Sequence, residues 1–341
     1  MTPRRAPPAL HLFAVALAST VAAGCSDSEA TSELVEFTIP AGATFAEVTD
    51  TLVARNLVGR PLLFRTYARL RGDDRVVRAG SYEVPGDAGW GAVIDQLVAG
   101  RMVTFPLTIP EGFTLRQIAA RITAFAELDS IQVEAELLET GVEEEWEVPG
   151  PGLEGYLFPD TYFFAPGVGL ESIVRTLVDA YRSFWTPERR VAAEARGLSE
   201  REVATLASIV QAEAVLDAEM PTISGVFHNR LRLGIPLQAD PTVQYALGER
   251  RSRLLYADID SVADHPYNTY ARAGLPPGPI GAPGRAALEA VLNPADVPYL
   301  YFVARPDGSH IFSSTLDQHN NARIQARREW DEIERRDEEG S

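Results

Sequence analysis

The chain contains no lysine, so all 31 of its basic residues are arginine. That excludes a Schiff-base lysine, and with it pyridoxal-phosphate chemistry. It also excludes a Walker-type P-loop, whose Lys reaches the phosphates. Cysteine is nearly absent: Cys25 stands alone, which rules out an internal disulfide and leaves the body without a thiol nucleophile. His228, His265, His310 and His319 are scattered, with no paired spacing that would suggest a zinc site, and no Gly-x-Ser-x-Gly elbow is present. Positive charge is scarce as well. A net charge of −17 argues against a nucleic-acid partner and disfavours simple electrostatic adhesion to anionic lipid. What is present, 45% hydrophobic and 23% charged residues in 341, describes a globular protein of about two domains.

Residues 1–25 read as an export segment, with Arg4 and Arg5 ahead of the apolar run Ala9–Gly24. The run is short of the ~20 residues needed to span a bilayer. It ends Val21-Ala22-Ala23-Gly24-Cys25, which resembles a bacterial lipoprotein processing site and would make Cys25 the lipidated mature N-terminus. An uncleaved membrane segment is the other reading. Residues 26–34 form a polar tether.

A repeat follows. Thr38-Ile39-Pro40-Ala41-Gly42-Ala43-Thr44-Phe45 returns 70 positions later as Thr108-Ile109-Pro110-Glu111-Gly112-Phe113-Thr114-Leu115. Each copy predicts a strand, a Pro-x-Gly turn and a helix capped by Thr44-x-x-Glu47 or Thr114-x-x-Gln117. The copies resemble the start of LysM modules, which bind the glycan of peptidoglycan. Residues 35–150 are therefore expected to form a LysM-like region, ended by the break Val148-Pro149-Gly150-Pro151-Gly152. The second domain is expected over 151–335, with a frayed tail over 336–341.

In the second domain, Ser199-x-x-Glu202 signals a helix start, and Val203, Leu206, Ile209, Val210 and Ala214 then fall on one apolar stripe. Glu213 lies on that stripe, with Gln211 towards its edge. Glu is almost never buried unless paired, and burial raises its pKa towards that of a general acid. A core Glu paired with Arg is the bland alternative. The run Leu153–Phe164 combines Tyr156, Phe158, Tyr162, Phe163 and Phe164 with Glu154 and Asp160, suiting either a sugar-stacking wall or a core strand. Asp240, before Pro241, is a candidate cleft carboxylate or an N-cap for 243–247. Tyr267-Asn268-Thr269-Tyr270 precedes the stretch 273–284, rich in Pro and Gly, which reads as a stiff loop pinned beside a site. Arg305-Pro306-Asp307-Gly308 signals a hairpin.

Six segments in order, Leu153–Phe164, Leu206–Ala214, Val226–Arg232, Leu237–Thr242, Tyr267–Ile280 and Tyr299–Val303, resemble the endolytic murein transglycosylases of the MltG (YceG-like) family. The resemblance implies an α+β fold: a LysM-like N-terminal region followed by an α+β lytic transglycosylase catalytic domain. It also implies cleavage of nascent glycan strands outside the inner membrane, with peptidoglycan synthase complexes as partners and no metal or cofactor. The family's Ala-Ser-Ile-[Ile/Val]-Glu-x-Glu motif maps here onto Ala207–Glu213, with Gln211 at its first acidic position. The helical face favours the second, so the resemblance carries catalysis onto Glu213. Gln238, Asp240, Tyr267 and Asn268 become candidates for gripping the strand. Two other readings stay open, a hydrolytic muramidase with Asp240 as second carboxylate and a catalytically inactive LysM-type scaffold. Replacing Cys25 by Ala is expected to abolish metabolic acyl labelling and membrane retention; full retention with unchanged labelling would exclude lipidation at that position.

Overall fold

The computed structural model describes residues 33–340 apart from 41, 101–102, 140 and 252–253. Cys25, the export segment and most of the tether lie outside the described residues. Two separate apolar cores organise the chain. The first is built by β1 (Leu34–Ile39), α1 (Phe45–Ala54), α2 (Pro61–Arg71), β2 (Gly80–Pro85) and α3 (Trp90–Ala99). Phe37, Val48, Leu52, Phe64, Tyr82 and Leu97 meet at its centre. The second begins with β3 (Phe105–Thr108), α4 (Leu115–Ala126), α5 (Ser130–Leu137), the one-turn α6 (Val142–Glu145), β4 (Thr161–Phe164) and α7 (Leu170–Phe184). It continues through α8 (Pro187–Ala195), α9 (Glu200–Glu213), α10 (Met220–Leu233), α11 (Asp240–Leu247), α12 (Tyr256–Ser261) and α13 (Arg285–Leu292). The hairpin β5 (Tyr301–Ala304) and β6 (His310–Ser313) and the long α14 (Leu316–Gly340) complete it.

The repeat seen in the sequence is larger than a strand, a turn and a helix. Both capping boxes form, with the Thr44 and Thr114 hydroxyls each accepting from the backbone three residues on and their own amides donating to the Glu47 or Gln117 side chain in return. Each copy then closes with a second, antiparallel strand: Phe37 pairs with Tyr82 in β1–β2, as Leu107 pairs with Tyr162 in β3–β4. One residue along, the hydroxyls of Thr38 and Ser81 lie 3.0 Å apart, and so do those of Thr108 and Thr161. The Tyr82 hydroxyl donates to the Arg78 carbonyl at 2.6 Å, and the Tyr162 hydroxyl donates to the Phe158 carbonyl at the same distance. Gly89 and Gly169 then start α3 and α7, whose inward residues Val93, Ile94 and Leu97 match Ile173, Val174 and Leu177. The duplicated unit is thus strand–helix–helix–strand–helix.

This changes where the chain divides. The second copy runs across the Pro/Gly break, because its closing strand β4 lies beyond it. Leu107, Ile118, Leu137 and Val148 share one core with Leu153, Leu177 and Val210. The two cores separate between α3 and β3, rather than at Val148–Gly152. The aromatic run does mainly packing: Tyr156, Phe158 and Phe164 are buried, and Tyr156 meets Tyr181 edge-on at 5.2 Å.

The helix α9 also departs from a single apolar stripe. Every residue from Val203 to Val210 is buried, with the small Ala204, Ala207 and Ser208 filling the faces that the stripe leaves. It is the central helix, packed against α10, α11 and α13. Leu52→Ala removes a fully buried side chain from the first core. It should cost about 2–5 kcal/mol and lower one calorimetric transition while leaving the transition of the second core in place.

Candidate functional site

Glu213 is the last residue of α9, where the unpaired carbonyls of a helix C-terminus already disfavour negative charge. The residue is half-buried, and protein atoms crowd its carboxyl without sealing it from solvent. Loss of hydration, with the nearby Asp240 charge adding to it, drives the group up to about 8. Arg230 acts in the opposite sense and more weakly. Among the described residues, no side chain forms an ion pair or hydrogen bond with the Glu213 carboxyl. The expected bland alternative, a core Glu locked to an arginine, is therefore not what forms. A carboxyl in this state holds its proton near neutral pH and has its hydrogen-bonding capacity free for a ligand.

Arg230 shows why it does not neutralise Glu213. It sits on the buried face of α10 and is nearly inaccessible. Its Nε donates to the Leu300 carbonyl at 2.6 Å and its Nη1 to the Leu237 carbonyl at 2.7 Å. The guanidinium lies over the Tyr301 ring at 5.3 Å, and that ring stacks on His319. Three elements are thus tied to one side chain, which delivers positive charge towards Glu213 without contacting it.

The Asp240 side chain does not cap its helix, as it occupies the first helical position after the N-cap Ala239. Its Oδ1 accepts a hydrogen bond from the Tyr270 hydroxyl at 2.5 Å. Burial is the largest cause of the upward shift of that phenol, followed by the Asp240 bond and charge and by Glu213 itself. Tyr270 therefore stands with Asp240, Arg230 and Glu213 in one electrostatic neighbourhood. Asn268 is buried, and its carboxamide is spent within its own loop: it donates to the Ile259 and Val262 carbonyls and accepts from the Tyr270 amide at 2.9 Å. It fixes Thr269 and Tyr270. The Thr269 hydroxyl receives the Ala239 amide at 3.0 Å, and its carbonyl receives the Gln238 amide at 3.0 Å. Gln238 is exposed at a φ of 48°, its backbone held by that bond. Tyr267 packs at 4.8 Å from Tyr245, whose hydroxyl donates to Glu154 at 3.1 Å. Glu154 also accepts the Leu115 amide at 2.9 Å, and burial pushes it up to about 7 against both bonds.

The expected stiff loop is pinned from two sides. Ser208 Oγ accepts the Ile280 amide at 3.0 Å, and Gln211 Oε1 accepts the Gly284 amide at 2.9 Å. On the other side, Gly112 donates to Ala282 at 2.7 Å and Ala282 donates to Phe113 at 2.8 Å. The turn of the second repeat copy therefore docks directly onto the Pro/Gly loop. Glycine is required at this seam: a Cβ on Gly281 would lie 2.9 Å from the Gly112 carbonyl oxygen.

Arg230 and Tyr270 are the residues that sequence reasoning did not single out. The rule that marked Glu213 would have found Arg230, since it follows Ile223, Val226 and Phe227 on the buried face of its helix. Tyr270 carried no comparable signal. Among the described residues, no cluster of three or more His, Cys, Asp and Glu could hold a metal, and no helix is long and apolar enough to cross a membrane.

Comparison with known proteins agrees with this architecture. The model of the YceG-like family matches residues 37–325. An endolytic murein transglycosylase from Bacillus subtilis is 33% identical over 305 residues, covering 85% of this chain and 84% of that protein. One from Streptococcus pneumoniae is 30% identical over 312 residues, covering 83% of this chain and 56% of that longer protein. The crystal structure of a YceG-like protein from Listeria monocytogenes superposes with a TM-score of 0.57 at 34% identity, covering 85% of this chain and 99% of that one. The chain is a member of the YceG-like family.

Proposed function

We propose that this protein is an endolytic lytic transglycosylase of peptidoglycan, with Glu213 as its single acid and base. The observation that carries the reading is the state of Glu213, whose carboxyl has no partner among the described residues and is raised to about 8 beside a cluster of polar side chains. The relatives named endolytic murein transglycosylase supply the substrate class. Protonated Glu213 donates to the glycosidic oxygen between N-acetylmuramic acid and N-acetylglucosamine, and the C1–O bond breaks. The muramyl C6 hydroxyl attacks C1 and gives its proton to the Glu213 carboxylate, closing a 1,6-anhydro ring. The proton returns to the enzyme and no water is consumed, so one carboxylate suffices where most glycosidases need two.

In this scheme Arg230 steadies the carboxylate formed midway, and the Asp240–Tyr270 pair grips the strand. Gln238 and Tyr267 line the path, while Asn268 serves by holding Tyr270 in place. The loss of the family's first acidic residue does not argue for an inactive scaffold. Gln211 accepts the Gly284 amide, a task that a carboxamide oxygen performs as a carboxylate oxygen would. The first repeat copy, with its own core, is proposed as a LysM-like glycan-binding module. The export segment is proposed to anchor the chain to the cytoplasmic membrane, through Cys25 or uncleaved, with the body outside the cytoplasm and near peptidoglycan synthases.

Mass spectrometry of products from nascent uncrosslinked glycan tests the reaction. The parent should yield anhydromuramyl ends and Glu213→Gln at least about 100-fold less; free reducing ends would make the protein a hydrolase instead. Because the acid must be protonated, kcat/KM should fall as pH rises through about 8. The same shift acts on stability. Between the ordinary value of 4.5 and about 8, the folded chain holds a proton that the unfolded chain releases, so stability falls as pH rises through that window. Glu213→Gln should match the parent near pH 4 and exceed it above pH 8, by on the order of 3–5 kcal/mol in chemical denaturation.

A further inference from the structure

Although the chain carries a net charge of −17, the window Thr51–Gly72 contains Arg55, Arg60, Arg65, Arg69 and Arg71 and no acidic residue. The helix α2 lies within it. Phe64 and Ala68 turn into the first core. On the opposite side Leu62, Leu63 and Leu70 are exposed by 76%, 53% and 84%, and Tyr67 is half open at the edge. At 100° per residue, Leu62, Leu63, Thr66, Arg69 and Leu70 share one sector.

Acidic groups neutralise only part of the positive charge. Arg65 pairs with Asp50 at 2.7 Å, and Arg71 pairs with Asp73 at 2.7 Å and Asp95 at 2.5 Å. Arg69 reaches Asp74 only at 3.7 Å, with its side chain 81% exposed. Arg55 and Arg60 are exposed, and neither forms an ion pair among the described residues. An apolar strip fringed by free arginines is the pattern of a helix lying in a bilayer interface. An exposed leucine patch of this kind needs a covering partner.

We infer that α2 is a lipid-contacting face. Leu62, Leu63 and Leu70 enter the boundary between headgroups and acyl chains of an anionic bilayer, and Arg60 and Arg69 meet the phosphates. This rests on the proposed N-terminal anchor and deepens it. From Cys25 to Leu34 the chain spans at most about 30 Å when extended. A module the size of the first core has a radius of gyration of about 11 Å, so the tether holds it within roughly its own diameter of the membrane. At the high effective concentration this creates, a weak contact is populated. The acidic remainder of the chain is repelled by the same surface. The two effects together keep the first module, rather than the acidic remainder, on the lipid.

The test is photo-crosslinking of the full chain in vesicles of phosphatidylglycerol and phosphatidylethanolamine carrying a photoactivatable acyl chain, with adducts mapped by mass spectrometry. Adducts are expected on residues 60–71 and on residues 1–32, and none around Ile131, which is 79% exposed on α5. Arg60→Gln with Arg69→Gln should lower the α2 adducts at least about fivefold and leave the N-terminal adducts unchanged. N-terminal adducts without any on α2 would overturn the lipid-contact assignment and leave the anchor standing. Absence of both would overturn both. Equal α2 labelling in pure phosphatidylcholine vesicles would overturn the assignment to anionic lipid.

Discussion

The candidate site depends on one energetic conflict, a carboxyl placed where its charge is poorly tolerated. Glu213 ends a helix whose middle is buried on every side, so the chain has no freedom to swing that residue fully into water. Desolvation and the Asp240 charge oppose ionisation, and the helix C-terminus adds to them. Arg230, a cation that acts on it, could relieve the conflict, but backbone carbonyls and the Tyr301 ring hold it off. A bond between the two would lower the Glu213 pKa and occupy its oxygens, and both consequences would work against a general acid. The geometry of Arg230 thus leaves the Glu213 carboxyl without that bond and its pKa raised.

Around that residue, the structure is a set of loops made rigid by short polar contacts to α9. Ser208 and Gln211, five and two residues before the helix end, hold the Pro/Gly loop through Ile280 and Gly284. The same loop is gripped from the far side by Gly112 and Phe113. The second repeat copy has thereby become part of the wall of the site, whereas the first keeps a core of its own. Two copies of one unit have diverged in what covers their apolar faces. The first leaves leucines on α2 exposed, and the second, its own β4 and α7 included, is built into the main core.

Glu154 belongs to this seam. It joins the start of α4, in the repeat, to Tyr245 on α11, the helix that Asp240 opens. Its carboxyl spans the two parts of the main core, and the bonds that hold it partly offset the cost of its burial. The position of Asp240, and through it of Tyr270, is therefore tied to the repeat as well as to α9.

Much of this was legible in the chain alone, because it depends on local rules. The capping boxes at Thr44, Thr114 and Ser199, the hairpin around Arg305–Gly308 and the oddity of Glu213 on an apolar face are all set by residues within a turn or two of one another. The same holds for the start of the repeat, where eight residues recur at a fixed interval. Its full extent was hidden: the equivalent second halves, with Tyr82 and Tyr162, are displaced by 80 positions instead of 70, and only their shared strand register and hydrogen bonds reveal them. The Pro/Gly break at 148–152 looked like a boundary, because local backbone chemistry cannot tell a loop between cores from a loop inside one. Whether Glu213 was paired, where Arg230 points and what Asn268 holds were decided by the packing of α9, α10 and the loops after them. Burial, charge and satisfied hydrogen bonds are properties of neighbours far apart in the chain, so tertiary structure alone assigned them.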